Sequence, residues 1–237
     1  MCGRFVATAP AHELATLFEA EIPDQGLEAN YNVAPSAEVY GVFVRGGDSD
    51  QKGERRIKVF SWGFLPKWNQ PNSRQKRLIN ARAETVDTKV SFAKAFLSRR
   101  CLIPADGFYE WMVMGSFEGK KLKKQPMFIF RSDQEPLCMA AIWDSRRVQG
   151  GRSDELLFTV LTTEANGFMS KIHDRMPVVL PQSVWNSWLD PQNSDISSLK
   201  QMLIPAPSGL FEAHRVDPKV GNPRNHGPEL IAPLDHK

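Results

Sequence analysis

The chain has 237 residues, 41% of them hydrophobic and 24% charged, a composition that suits a soluble folded protein of one large domain or two small ones. No apolar run approaches the ~20 residues of a membrane-spanning helix, which excludes an integral helical membrane protein. The formal charge of +3 is unevenly spread: from Arg55 to Arg100 twelve Lys and Arg stand against two acids, Glu84 and Asp87, so the remainder is net negative. Such a stretch suits a polyanion partner or, equally, a solvated surface that happens to be basic.

The first element is a helix predicted from Pro10 to Glu21, with Pro10 suited to its first turn and Leu14, Leu17 and Phe18 on one face as a lid on the core. Short β-type runs then dominate: Val39 to Val44, Ile57 to Trp62, Cys101 to Ile103, Phe108 to Met112, Met127 to Phe130, Leu137 to Trp143, Leu156 to Leu161 and Pro177 to Leu180. Gly46 to Asp50 and Gly115 to Gly119 read as hairpin loops, and Lys89 to Leu97, Gln182 to Leu189 and Ile196 to Met202 as helical patches. Strands predominate without a βαβ rhythm, which points to an α+β chain of coiled antiparallel sheets. With no internal repeat and no long linker, residues 1–234 read as one domain and 235–237 as a loose tail.

Three scattered cysteines, Cys2, Cys101 and Cys138, make neither a disulfide scaffold nor a zinc motif. Free thiols in a reducing, cytoplasmic setting follow, since no apolar signal core lies behind the first residues. Neither a metal nor a cofactor is expected. Cys2 becomes a double nucleophile if Met1 is removed, with thiol and α-amine pKa values of about 8.5 and about 7.7–8.0, and nearby positive charge would draw out the thiolate. The natural electrophile for that pair is an aldehyde, which the amine takes as a Schiff base and the thiol closes to a thiazolidine. A terminal Cys without a role is the plain alternative.

His173 precedes an apolar run in a polar turn, as an acid–base group or as a surface His capped by Asp174; Arg175 follows it and can grip an anion. Glu110 alternates with Tyr109 and Trp111 and shares a face with Phe108, which would desolvate it toward a general acid's range; a solvent-facing strand Glu is the other reading. Asn80 and Arg82 share a side of an extended segment and offer an amide to a sugar and a guanidinium to phosphate, unless Asn80 only caps a turn. Trp68, in a Pro-rich basic loop, can stack on a nucleobase, and Pro35 stiffens another loop able to shape a site. Trp62, Trp143, Trp185 and Trp188 are assigned to the core.

Taken in order, Met1-Cys2-Gly3-Arg4-Phe5, Tyr31-Asn32-Val33-Ala34-Pro35, Trp62-Gly63-Phe64, Ile79 to Thr85, Gly107 to Trp111, His173 to Pro177 and Val220-Gly221-Asn222 resemble the SRAP (SOS response-associated peptidase) family over nearly the whole chain. The resemblance implies coiled β-sheets around a barrel-like centre, and a sensor that links Cys2 covalently to ring-opened abasic sites in single-stranded DNA. It implies that Asn80 positions the sugar or the terminal amine, that Glu110 assists proton transfer, and that His173 promotes ring opening. Arg4, Arg82 and Arg175 would hold phosphates, with Pro35 and Trp68 also on the DNA. The partner is then abasic single-stranded DNA, with a monomer and no membrane. Strand nicking, removal of Met1 and a thiol peptidase using Cys2 are further activities of the same residue types, the peptidase being the main alternative, and a DNA-binding module without chemistry is a second.

Overall fold

The computed structural model describes residues 2–45, 53–66, 77–115, 123–147 and 154–234. Its elements in chain order are β1 (Phe5–Ala7), α1 (Ala11–Phe18), β2 (Asn30–Val33), β3 (Glu38–Val44), β4 (Arg55–Trp62), β5 (Asn80–Arg82), α2 (Ala93–Ser98), β6 (Arg100–Ala105), β7 (Gly107–Met114), β8 (Lys123–Arg131), β9 (Leu137–Arg147), β10 (Asp154–Glu164), β11 (Arg175–Pro177), α3 (Trp185–Leu189), α4 (Ile196–Gln201) and β12 (Phe211–Arg215). Short 3-10 turns fill several of the connections.

Strands β10, β4, β3, β6 and β9 pair in that order, and β9 pairs back with β10, so five strands close a barrel. Closure removes the free edges that an open sheet of this length would expose. β5 and β11 attach to the C-terminal half of β10, and a second sheet runs in the order β12, β8, β7, β1, β2. The α+β, β-rich single domain expected from the sequence is therefore present, with one difference: β10 runs parallel to both β4 and β5. Parallel neighbours need long crossovers, and here nearly a hundred residues separate β4 from β10, so no local βαβ pattern marks them.

Alternation along the barrel strands separates two cores. Val39, Phe43, Phe60, Trp62, Ile103 and Phe158 point inward and meet Phe5, Phe108 and Phe211 from the second sheet. Tyr40, Val42, Ile57, Leu102 and Ile142 point outward, under the helices. There Phe18 of α1 packs against Trp185, ring centroids 4.7 Å apart and tilted by 32°, and is fully buried, which is worth roughly 1.5–3 kcal/mol. The helix stops at Phe18 rather than Glu21 because Glu19 takes a left-handed conformation (φ 49°) and its N–H turns back on the last carbonyls. The third cluster joins Val6, Tyr109 and Phe128, on the far face of the second sheet, to Val216, Val220 and Leu230 of a C-terminal strap.

Arg100 ties the helices to the barrel. Its buried guanidinium donates to Phe96 O at 2.7 Å, Trp188 O at 2.6 Å, Asn193 O at 3.0 Å and Asp190 O, and lies over the Trp188 ring. One cation thereby satisfies carbonyls that two helix ends leave open. Gly107 is required where β7 begins, since a Cβ there would fall 2.5 Å from the Phe128 ring and 2.6 Å from Ile129 O.

Candidate active site

Two ladders carry the candidate residues toward one region. β1 pairs with β7 through Phe5 and Phe108, and Tyr109 N–H donates to Arg4 O at 2.9 Å; continuing that register sets Glu110 opposite Gly3, beside Cys2. Alternation along β7 puts Glu110 on the face of Phe108, and both Cys2 and Glu110 are buried. From the other side β5 delivers Asn80, whose Nδ2 donates to Cys2 O at 2.7 Å while its Oδ1 is buried without a hydrogen-bond partner among the described residues. The chain ahead of β1 is thus held at its carbonyl, with an unused acceptor close by.

β10 lies between the two arginine-bearing strands: Thr162 is in register with Arg82 of β5, and Glu164 with Arg175 of β11. His173 occupies the turn before β11, its N–H donating to the carbonyl of Met169, which is buried in the cluster that contains Cys2. Its Nδ1 accepts from Arg175 N–H at 3.0 Å and also lies 2.7 Å from Asp174 Oδ1. The first contact needs a bare nitrogen and the second a protonated one, so they alternate with the position of one proton. An open depression of about 570 Å³ is lined by Arg82, Glu84, Thr85, Glu164, His173, Asp174 and Arg175.

Burial, and then the Glu110 carboxylate, push the Cys2 thiol well above its ordinary range. This corrects the expectation of a drawn-out thiolate: burial and the Glu110 charge outweigh the pull of the N-terminal ammonium, and the balance favours the thiol. Arg4 is not bare either, because Nη1 donates to Asn32 Oδ1 at 2.8 Å and Val220 O at 2.9 Å, and Nη2 to Gly221 O at 3.3 Å. Arg175 forms a two-point ion pair with Glu84 and donates to Thr162 O at 2.6 Å. Arg82 is exposed on the depression.

With this arrangement established, comparison with known proteins gives a family. The model of the SOS response associated peptidase (SRAP) family matches residues 1–223. The chain belongs to the SRAP family. It is 34% identical over 236 residues to "Abasic site processing protein YoqW" of Bacillus subtilis, covering 98% of this chain and 99% of that one. Against "Abasic site processing protein YedK" of Escherichia coli the identity is 33% over 244 residues, covering 99% and 100%. A solved protein from Bacteroides thetaiotaomicron superposes with a TM-score of 0.82 at 24% identity, covering 98% of this chain and 100% of that one, and so shares its fold.

Within this SRAP chain, Cys2, Asn80 and Glu110 come together, and Arg82, two residues beyond Asn80 on β5, lies with His173 and Arg175 around the depression. Pro35 is exposed at the second position of a turn closed by Ala37 N–H to Ala34 O at 3.0 Å, with Ser36 at φ 75° after it. Trp68 lies outside the described residues, as do 235–237 and most of the two predicted hairpin loops. No helix among the described residues is long and apolar enough to cross a membrane. Sequence reasoning gave no role to Asn32, Glu84 or Thr162. For Glu84 a signal existed: it stands two residues after Arg82, as Arg82 stands two after Asn80. For Thr162, whose backbone oxygen makes the contact, there was none.

Proposed function

We propose that the chain captures ring-opened abasic sites in single-stranded DNA by a covalent bond from Cys2 and so shields the lesion. The observation that carries this reading is the hold of Asn80 on Cys2 O, which sets a residue with amine and thiol beside Glu110. Once Met1 is removed, the α-amine adds to C1 of the open sugar and water leaves as the imine forms. Sγ then adds to the same carbon while its proton passes to nitrogen, closing a five-membered thiazolidine with net loss of one water.

Each neighbour has a step. His173, at the lip of the depression, exchanges the proton that opens the sugar hemiacetal. Glu110 takes the proton from Sγ and returns it to nitrogen, and the unused Oδ1 of Asn80 accepts from the amine. A thiol kept protonated until the imine is in place suits this order, in which the amine attacks first. A cysteine peptidase needs the thiolate as its opening nucleophile, and burial beside Glu110 disfavours it. Arg82 and Arg175 supply the cations for flanking phosphates, whose recognition is blind to base identity.

Intact mass spectrometry tests the reading. The mature protein should begin at Cys2, and mixing it with an abasic single-stranded oligonucleotide should give protein plus oligonucleotide minus water. Cys2→Ala should lose the stable product while still forming a transient imine that nicks the strand. An equally stable adduct from Cys2→Ala, or multiple turnover of a peptide substrate by the parent, would refute it.

A further inference from the structure

One of the two arginines on the depression already holds an anion. Arg175 Nη1 donates to Glu84 Oε1 at 2.6 Å and Nη2 to Oε2 at 2.8 Å, with Thr162 O taking another hydrogen of Nη2. Two parallel contacts from one guanidinium to two oxygens are the geometry a phosphate would also use. The turn that carries the carboxylate is braced: Lys200 Nζ donates to the Glu84 main-chain O at 2.9 Å and pairs with Asp87 at 2.9 Å. Around the same depression, Glu84, Glu164 and Asp174 outnumber Arg82 and Arg175. A surface meant only for tight phosphate binding would not be lined that way.

We propose that Glu84 is a specificity-determining residue, an internal stand-in for phosphate that keeps intact single strands weakly bound at Arg175. A backbone phosphate takes the two-point position on Arg175 only by displacing the Glu84 carboxylate, which turns part of the binding energy into an exchange of one anion for another. An intact strand gains nothing further and leaves. A strand with an abasic aldehyde stays because a bond to Cys2 follows. The inference rests on the reading that this chain takes single-stranded DNA.

The test uses the full chain and an intact, mixed-sequence single-stranded oligonucleotide, with affinity read by fluorescence anisotropy across a salt series. Glu84→Gln should bind it about tenfold more tightly at low salt, the scale of one charge-assisted contact regained. The slope of log affinity against log salt should steepen by about 0.7, one further phosphate neutralised. In an Arg175→Gln background the same substitution should change affinity far less. Glu84→Asp, which keeps the charge but is one methylene short, should tighten binding by an intermediate amount and covers the case in which Glu84→Gln folds poorly. Unchanged or weaker binding by folded Glu84→Gln would overturn the proposal and make Glu84 a support for Arg175. Adduct formation by the parent with an abasic oligonucleotide reads the proposed function separately, so failure of one leaves the other measurable.

Discussion

Arg4 donates to Asn32 Oδ1 at 2.8 Å, and the same Asn32 donates from Nδ2 to Val220 O, Asn222 O and Asn225 O at 3.2, 3.1 and 2.7 Å. One buried amide thereby joins the strand that follows Cys2 to the C-terminal strap. Asn32→Ala takes the donor from Asn222 O and Asn225 O and one contact from Arg4, while Val220 O keeps Arg4 Nη1, at a cost of about 1–3 kcal/mol for the buried groups. Urea unfolding should show that loss, and crosslinking should slow with it. An unchanged midpoint would mean the strap is held by its apolar contacts alone.

Two further thiols make stability sensitive to alkali. Burial raises Cys101 well above its ordinary range and pushes Cys138 up to about 12. In the unfolded chain these thiols ionise near about 8.5, so the contribution from keeping them neutral is whole below that pH. It fades as pH rises toward the folded values, by about 1.4 kcal/mol per pH unit for each thiol. Unfolding under reducing conditions between pH 7 and pH 10.5 should show the decline, and Cys138→Ala should remove one thiol's share of the slope. A flat profile would contradict the burial.

Kinetics separate His173 from Glu110. General acid–base help is worth roughly 10²–10⁴-fold, so His173→Ala should slow adduct formation without preventing it, and a pre-opened aldehyde analogue should recover much of the rate. Glu110→Ala should slow both formation and release, because the same proton transfers run backward, and the analogue should not restore it. Single-turnover crosslinking on both substrates, followed by release into excess competitor, makes the comparison. A variant that matches the parent in every rate has lost nothing but a side chain.

Arg100 offers a test of architecture. Its four carbonyl partners lie at or beyond the ends of α2 and α3. Arg100→Met keeps the packing but strands those oxygens, with an expected loss of about 3–5 kcal/mol. Arg100→Lys should recover only part of it, since a single ammonium has three donors and no planar fork. Full recovery in the denaturation midpoint would show that charge, rather than the fork, is what the carbonyls need.

How far the sequence could be read varies with element length. Eight β-type runs were legible from branched and aromatic residues, and seven seeded longer strands; the eighth, Pro177 to Leu180, meets β11 only at Pro177. The other strands of five residues or fewer, β1, β2, β5 and β12, left no periodicity to read, because pairing rather than propensity creates them. β5 carries Asn80 and Arg82, so part of the site was invisible as structure although its residues were named. The basic stretch from Arg55 to Arg100 is dispersed: Lys58 meets Asp24, Arg77 meets Glu155, Arg99 meets Asp144 and Arg100 is buried. Linear charge counts cannot foresee which cations the fold neutralises.

β10 serves as a ruler. Because β5 and β11 both hydrogen-bond to it, the backbones that carry Arg82 and Arg175 lie two interstrand spacings apart, about 9.5 Å, and two residues out of step, about 6.6 Å along the strand. That separation belongs to the main-chain ladder, so changing any one side chain leaves it intact. A one-residue slip of β11 along β10 would do what no substitution does: turn Arg175 to the opposite face and break the measure at once.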